Sequence, residues 1–377
     1  MKRILFFVFL PFLTFSQQTK EVLFVGNSYT FYNDLPNMVK QIALSFGDTL
    51  NYDQNTPGGA GFSFHSSNQQ TLNKIAQKEW DYVVLQAQSQ EPSFSPNQVS
   101  NDLFPYTQIL IDSIESNSKC TEPMFFMTWG RKYGDQQNCQ FYPPICTYTG
   151  MQQRLRQSYL QMAFTHESSC APVGMAWKES IEQDSTLNLY SSDNSHPSLE
   201  GSYLSACTFY SSLFKKPSIG STYVPNGMDS VTASFLQNIA SNTVLDSLST
   251  WNIFNVDGVL IDNLSVLDFL NFSSNYESVL WDFGDSTTST LENGNHVYDQ
   301  PGTYTITLTA FTNDSCVSES ISVDITLSFA TSISETNVNK KVVSIIDVFG
   351  RETTESKNTI LFYLYKDGRV EKKMVIE

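Results

Sequence analysis

The sequence Glu21–Tyr32, EVLFVGNSYTFY, decides the fold. Val22–Val25 is a short continuous apolar run, which is typical of a strand buried on both faces of a parallel α/β sheet. Gly26 permits a turn directly after this run, so Ser28 is expected just past the carboxyl end of the strand. Ligands of open α/β folds bind at this edge of the sheet. The stretch therefore predicts a serine side chain at a ligand-binding position.

A second polar block, Asp193–Pro197 (DNSHP), lies far downstream and precedes another segment with helical spacing. Alone, Gly26-Asn27-Ser28 is more often a plain strand-to-helix turn than a site. Together the two blocks supply a serine, a histidine and a carboxylate. These are the groups that convert a serine hydroxyl into a nucleophile.

The two blocks resemble those of the SGNH (GDSL-type) hydrolase family, in which a nucleophilic serine lies in a G-D-S or G-N-S block and a D-x-x-H block completes a triad. The resemblance covers Lys20–Asp246. It implies a three-layer α/β/α sandwich with a parallel, flavodoxin-like sheet and a serine esterase activity. Ser28 is then the nucleophile, His196 the general base and Asp193 the carboxylate that orients the imidazole. Imidazole suits this role because its ordinary pKa of about 6.5 is close to the working pH.

The resemblance also implies an oxyanion hole made of the Ser28 N–H, a glycine N–H from a second block and an asparagine side chain from a third block, G-x-N-D. Gly61 best matches the second block, with Gly59 as the second choice. No G-x-N-D follows the third strand, where residues 86–90 read QAQSQ. A glutamine amide offers the same donor on a longer arm. Gln90 is the preferred candidate, although spacing does not distinguish among Gln86, Gln88 and Gln90.

Strand-like and helix-like segments alternate through residues 17–250, which predicts parallel βαβ units. The predicted strands include the runs at Val22–Val25, Leu50–Gln54, Trp80–Leu85, Met124–Thr128 and Val173–Trp177. Helical spacing is clearest at Leu35–Phe46, Leu103–Ile114, Met151–His166, Leu199–Phe214 and Val231–Leu248.

Beyond Trp251 helical spacing disappears, and Ser, Thr, Asn and Val dominate. The turn WDFGD at 281–285 and the run from HVY at 296 to TYTITL at 308 resemble a PKD-type immunoglobulin-like β-sandwich. We assign residues 251–328 to this all-β domain. Asp282 and Asp285 are expected to bond nearby backbone amides as turn residues, with a calcium site as the less favoured alternative.

Both termini carry features of export. Met1–Ser16 places Lys2 and Arg3 ahead of an apolar run, which predicts a secretory signal peptide cleaved before Gln17. Residues 342–377, after a linker at 329–341, resemble the C-terminal sorting domain of type IX secretion and form a small β tail domain; a further β-unit of the sandwich is the alternative. We expect a secreted or outer-surface protein that engages the type IX machinery and has no membrane span in its mature chain.

Charge and composition limit which ligands and partners the chain is expected to bind. Lys and Arg total 22 against 38 Asp and Glu, a formal charge of −16, which disfavours nucleic acid. The four histidines are scattered and no C-x-x-C is present, so neither a zinc site nor another metal or cofactor is expected.

Six cysteines in an exported protein indicate disulfides. Cys139–Cys146 has the spacing of a short closed loop. Cys120 and Cys170 each precede a strand-like run and are expected to meet if those strands are neighbours. Cys207 is expected to be a buried free thiol, and Cys316 has no evident partner.

Other side chains leave alternatives open. His65 follows the glycine loop and either lines the pocket or, as the favoured interpretation, has a surface-loop role. Trp129, Tyr133 and Tyr148 either stack on a sugar ring or simply pack.

The sequence as a whole indicates a secreted esterase that cleaves carboxylic esters through an acyl-enzyme, with O-acetylated polysaccharide as the expected substrate. A non-catalytic, glycan-binding adhesion protein on a hydrolase fold is the alternative, because G-x-N-D is absent.

Overall fold

The computed structural model describes residues 17–263, 266–312, 316–327, 342–347, 350–356, 359–366 and 369–374. The expected signal peptide and linker lie outside these described residues. The chain forms two compact units, one extending through Leu327 and the other beginning at Ser328.

A five-stranded, fully parallel sheet organises the first unit, with strand order β2-β1-β3-β4-β5. Its strands are β1 (Thr19–Val25), β2 (Thr49–Asn55), β3 (Tyr82–Leu85), β4 (Glu122–Phe126) and β5 (Ser169–Ala171). The apolar run of β1 lies between two partners, since Val22 is opposite Tyr52 on one side and Tyr82 on the other. Its four apolar side chains are fully buried.

Helices cover both faces of the sheet and complete the expected three-layer sandwich. They are α1 (Ser28–Phe31), α2 (Leu35–Ser45), α3 (Phe62–His65), α4 (Gln69–Ile75), α5 (Pro96–Asp102), α6 (Phe104–Asn117), α7 (Tyr148–Thr165), α8 (Val173–Gln183), α9 (Leu199–Phe214) and α10 (Ser230–Leu245). Val22 and Phe24 pack in one apolar core with α2, α8, α9 and α10. Leu23 and Val25 point to the opposite core with helices α3 to α7, as the alternation of side chains along a strand requires.

The prediction of a strand at Val173–Trp177 is wrong, because this run opens helix α8. Val173, Ala176, Trp177 and Ser180 are buried at helical spacing. A short apolar run does not distinguish a buried strand from a buried helix. The fifth strand lies just before it, at Ser169–Ala171.

The PKD-like region forms two antiparallel sheets, ordered β10-β7-β6 and β12-β11-β8-β9. Their strands are β6 (Gly258–Asn263), β7 (Val266–Asn271), β8 (Ser278–Asp282), β9 (Thr288–Ser289), β10 (Asn293–Val297), β11 (Gly302–Phe311) and β12 (Ser318–Leu327). The turn roles expected for the two aspartates are confirmed. Asp282 Oδ1 accepts the Gly284 N–H at 2.9 Å, and Asp285 Oδ1 accepts the Thr287 N–H at 3.0 Å.

The disulfides are Cys139–Cys146 and Cys120–Cys316, whereas Cys170 is a buried free thiol. The expected Cys120–Cys170 pairing is therefore wrong. Cys170 is opposite Phe125 in the sheet, five residues along from Cys120, which separates the two cysteines by about 16 Å at the rise of a β-strand. The expectation that Cys207 is a buried free thiol is confirmed.

The sandwich is attached at the amino-terminal edge of the parallel sheet. Cys120 lies two residues before β4, and nearby Lys215 forms an ion pair with Glu319 of β12. Lys215 Nζ also donates to the Phe254 carbonyl at 3.2 Å. A cleft of about 700 Å³ runs along this contact. The disulfide thus links the two domains on the side of the sheet opposite to the Ser28 edge.

The second unit contains a three-stranded antiparallel sheet, β13 (Val342–Ile346), β14 (Ile360–Tyr365) and β15 (Val370–Met374), in that order. No helix in the described part of the chain has the length and apolarity needed to cross a membrane.

Removing the interdomain disulfide is expected to lower the free energy of unfolding more than removing the other one. In the chain-entropy description, closing a loop across 196 residues contributes about 5 kcal/mol and closing one across 7 residues about 2 kcal/mol. Urea unfolding of Cys120→Ser/Cys316→Ser beside Cys139→Ser/Cys146→Ser measures the difference. Equal losses in the two double variants would contradict the interdomain link.

Candidate active site

Ser28 is the first residue of α1, in the turn that follows β1. Asn27 caps this helix, because its side chain accepts the Tyr29 N–H at 3.1 Å. The same side chain donates to the Ala60 carbonyl at 2.7 Å. Asn27 therefore joins the serine turn to the glycine-rich loop that ends at Gly61, a role that the sequence did not reveal.

Gln86 holds the serine turn in place through hydrogen bonds. Its side chain is fully buried, and Oε1 accepts the Asn27 N–H at 2.8 Å and the Thr30 hydroxyl at 2.9 Å. A Cβ atom on Gly26 would lie 2.6 Å from each of these two side-chain oxygens, of Gln86 and Thr30. Glycine is thus required by close packing, and Gln86 is occupied as a structural acceptor.

The DNSHP loop brings its carboxylate and imidazole to Ser28. Asp193 Oδ1 accepts the backbone N–H groups of Ser195 and His196 at 3.0 and 2.9 Å. Asp193 Oδ2 lies 2.5 Å from His196 Nδ1, and His196 Nε2 lies 2.8 Å from Ser28 Oγ. A carboxylate only accepts, so Nδ1 carries the proton and Nε2 is left to accept the serine hydroxyl.

The electrostatic setting keeps Asp193 ionised at neutral pH. Burial opposes its ionisation, but hydrogen bonds from the His196 ring and from the Ser195 and His196 N–H groups outweigh burial. The pKa of the Asp193 carboxyl therefore lies below its ordinary value. An ionised carboxylate at this position stabilises positive charge on the imidazole.

Stacked aromatic rings hold the serine turn and the histidine loop together. The Tyr29 ring lies 4.6 Å from Trp129 and parallel to it, and Trp129 lies 4.0 Å from Trp177 in the same way. Trp129 Nε1 donates to the Ser195 carbonyl at 3.0 Å. Tyr32 stacks on the His196 ring at 4.6 Å.

Trp129 is fully buried in this stack, so its interpretation as a sugar-stacking residue is wrong and packing is its role. Tyr133 is 61% exposed. The hydroxyl of Tyr148 is buried and has no partner within the described parts of the chain.

The expected oxyanion donors lie in different settings. Gly61 directly follows Ala60, which is bonded to Asn27, and precedes α3. Among the described residues, none accepts the backbone N–H of Gly61 or of Ser28. Gln90 Nε2 donates to Asp135 Oδ2 at 2.8 Å. No hydrogen bond within the described ranges joins Gln90 to Ser28.

Asp135 is a neighbour of the site that sequence reasoning missed. It is fully buried and lies in the loop after β4, with no motif to distinguish it from other polar loop residues. Burial opposes ionisation of Asp135, but hydrogen bonds from Asn138 and Gln90 and the nearby Arg131 charge leave its pKa lowered. The carboxylate fixes the direction of the Gln90 amide.

The surface-loop role favoured for His65 is wrong, because its side chain is fully buried. His65 Nε2 lies 2.9 Å from the Gly26 carbonyl oxygen, and Nδ1 lies 2.9 Å from Thr71 Oγ1. Burial lowers the pKa of this imidazole. His65 thus contacts the serine turn through the Gly26 carbonyl.

Comparisons with known proteins agree with this architecture. Residues 271–327 match the PKD domain family. No curated protein has a significantly similar sequence.

Several solved structures resemble parts of the chain. A DUF4886 family protein from Bacteroides uniformis has a TM-score of 0.52 at 18% identity, over 60% of this chain and 95% of its own. A provisionally assigned SGNH hydrolase from Slackia heliotrinireducens has a TM-score of 0.43 at 23% identity, over 51% and 97%. A lipase/acylhydrolase from Enterococcus faecalis has a TM-score of 0.39 at 15% identity, over 53% and 96%. The first of these likenesses establishes the shared fold.

Replacing Gly26 by alanine is expected to destabilise the protein by about 1–3 kcal/mol, because the added methyl group overpacks the buried Gln86 and Thr30 side chains. The matched control is Gly58→Ala, since a Cβ atom there meets nothing within 4 Å. Urea unfolding midpoints measure both. Equal midpoints for the two variants would contradict the packing described around Gly26.

Proposed function

We propose that this protein is a serine esterase, which hydrolyses carboxylic esters through an acyl-enzyme formed on Ser28. One observation carries the proposal. A continuous chain of hydrogen bonds runs from Ser28 Oγ through both nitrogens of His196 to Asp193 Oδ2, over distances of 2.8 and 2.5 Å. The serine and the histidine are 168 residues apart in sequence.

In the acylation step, Ser28 Oγ bonds to the ester carbonyl carbon while its proton passes to His196 Nε2. The ionised Asp193 stabilises the imidazolium that forms. The tetrahedral intermediate then collapses, the bond to the alcohol oxygen breaks, and the alcohol leaves with the proton from Nε2. In deacylation a water molecule gives a proton to Nε2 as its oxygen bonds to the acyl carbon. The bond from that carbon to Ser28 Oγ then breaks, Nε2 returns the proton to Oγ, and the acid leaves.

The negative oxygen of each tetrahedral intermediate requires hydrogen-bond donors that are already in position. We assign the backbone N–H groups of Ser28 and Gly61 to this role. Two observations support this assignment. Neither N–H has an acceptor among the described residues, and a hydrogen bond from the Asn27 side chain to the Ala60 carbonyl joins the two turns. Gln90 is the third candidate donor, because its amide keeps one N–H beyond the bond to Asp135.

The substrate we propose is an O-acetylated polysaccharide. Aromatic side chains near the serine turn, the glycine loop and the loop after β4 are exposed enough to stack on sugar rings: Phe31 (41%), Phe64 (41%) and Tyr133 (61%). The acidic chain disfavours polyanionic substrates. The attached PKD-like domain is a second reason to consider a polymer. Assignment of a sugar ester is an analogy from these features rather than a consequence of the triad.

Export is part of the proposal. The basic start and apolar run of the first 16 residues support a signal peptide, and the resemblance of residues 342–377 supports a type IX sorting tail. Disulfides and a PKD domain suit an extracellular protein.

Substituting the triad is expected to abolish turnover of 4-nitrophenyl acetate. Ser28→Ala and His196→Ala lose the nucleophile and the base, so kcat should fall to background, by about ten-thousandfold or more, and Asp193→Asn should lower it by about a hundredfold to ten-thousandfold. Initial rates at saturating ester measure kcat. His296→Gln, in the sandwich, is the matched control and should leave the rate unchanged.

If the wild-type protein and Ser28→Ala release 4-nitrophenol equally, the esterase proposal fails for this ester. Acetate release from acetylated xylan, compared with release from a long-chain ester, then distinguishes a polysaccharide esterase from a lipase. Retention of both the wild-type protein and Ser28→Ala on a column of unsubstituted glycan, with no hydrolysis by either, would favour the glycan-binding alternative.

Deleting residues 342–377 is expected to keep the protein inside the cell without abolishing esterase activity in the lysate, because the tail forms a separate compact unit. Immunoblots of cell and medium fractions measure retention. The exported full-length protein should begin near Gln17 by N-terminal sequencing. An insoluble truncated protein would instead make the tail structural.

A further inference from the structure

We infer that His65 is a positioning residue, which fixes the Gly26–Asn27 peptide group and thereby sets the reactivity of the Ser28 hydroxyl. This inference rests on the proposed function of the same site. It concerns a residue with no part in the triad or the oxyanion hole.

One peptide group is held at both ends. Its carbonyl, Gly26 C=O, accepts from His65 Nε2 at 2.9 Å. Its N–H, on Asn27, donates to Gln86 Oε1 at 2.8 Å. A peptide group is planar and rigid, so fixing both ends leaves the chain that enters Ser28 little freedom to rotate.

His65 is itself held in a closed circuit of hydrogen bonds. Asn55 O accepts the Gly26 N–H at 3.1 Å. The Asn55 side chain donates to Thr71 Oγ1 at 2.7 Å, and Thr71 Oγ1 lies 2.9 Å from His65 Nδ1. The circuit therefore returns to Gly26 through the imidazole.

The acceptor groups in this circuit determine where its protons lie. The Gly26 carbonyl only accepts, so His65 Nε2 must carry a proton. His65 Nδ1 then accepts from the Thr71 hydroxyl, which lies 2.9 Å from it and 3.2 Å from the other available acceptor, Asn68 Oδ1. The hydroxyl oxygen is left to accept from Asn55. Burial, which lowers the pKa of His65, keeps this ring neutral in the Nε2–H form.

His65 also connects this circuit with the proposed oxyanion donors. His65 ends α3, the single turn that Gly61 precedes, and its backbone N–H donates to the Gly61 carbonyl at 3.1 Å. One residue thus contacts both the serine turn and the glycine turn. The Ser28 hydroxyl and the two N–H groups must be placed together within a few tenths of an ångström, because small displacements of reacting groups lower rates by large factors.

The test uses full-length His65→Leu, His65→Gln and Thr71→Val, with His166→Gln as the matched control. His166 is a half-buried histidine at the end of α7 that lines the cleft beside the sandwich. In the described part of the chain, no hydrogen bond or ring contact joins it to the serine turn. Two rates are measured: kcat and KM for 4-nitrophenyl acetate, and covalent labelling by diethyl 4-nitrophenyl phosphate. In labelling, a bond forms between Ser28 Oγ and phosphorus, 4-nitrophenolate leaves, and His196 takes the serine proton.

We expect His65→Leu to lower kcat and the labelling rate by about tenfold to a hundredfold, with KM unchanged within about twofold. His65→Gln should recover part of the loss, because its amide N–H can reach the Gly26 carbonyl. Thr71→Val should lower both rates less, and adding it to His65→Leu should cause no further loss, since both act through one circuit. His166→Gln should match the wild type.

A folded His65→Leu variant with wild-type labelling overturns the inference and leaves the esterase proposal intact. If His65→Leu does not fold, Thr71→Val decides, and wild-type rates in that variant overturn the inference. A wild-type protein whose Ser28 is neither labelled nor active overturns the proposed function, and this inference with it. Long-range ¹H–¹⁵N spectra supply an independent readout: a His65 ring in the Nδ1–H form would also overturn it.

Discussion

The hydrogen bonds to the Gly26–Asn27 peptide group are the constraint on which the site depends. This group lies at the end of the central strand β1, where the chain leaves the sheet and no neighbouring strand remains to pair with it. An unpaired backbone group that is buried costs about 1–3 kcal/mol. His65 and Gln86 satisfy the two ends of this group from opposite sides. The same contacts that remove this cost also fix the direction in which Ser28 faces.

The parallel sheet explains why residues so distant in sequence meet. β1 is an inner strand, with β2 on one side and β3 on the other, so Ser28 emerges with neighbouring turns on both sides. The DNSHP loop follows no strand and needs a different support. The stack of Tyr29, Trp129 and Trp177 supplies it, because Trp129 donates to the Ser195 carbonyl while its ring packs on Tyr29. The packing of buried aromatic rings thus positions the polar DNSHP loop beside Ser28.

Much of the fold could be predicted from the sequence, because the apolar run of β1 and the helical spacing of α2, α6, α7 and α9 are local patterns. The fifth strand could not be distinguished, since SCA is only three residues long and the apolar residues after it belong to a helix. The Ser28, Asp193 and His196 positions stood out through motifs with fixed spacing. The structure brings these three side chains within hydrogen-bonding distance.

The supporting residues could not be predicted, because their partners depend on tertiary contacts. Nothing in the sequence around His65 distinguishes a buried histidine from one on a loop. Sequence spacing did not distinguish Gln86 from Gln88 and Gln90, and only its burial beside Gly26 separates it from them. The partner of Cys316 could not be predicted for the same reason, because its bond to Cys120 joins two domains across 196 residues.

The two ends of the parallel sheet carry different features. The sandwich is fixed at the amino-terminal edge by the Cys120–Cys316 bond and the Lys215–Glu319 ion pair. Ser28 lies at the carboxyl edge, beyond strands of four to seven residues, which span about 13–23 Å. The disulfide and the ion pair that attach the sandwich therefore lie at the end of the sheet away from Ser28. Under the proposed function, an effect of this domain on a polymeric substrate would therefore come from holding the polymer near Ser28, whereas the proposed chemistry depends on the serine turn and the loops around it.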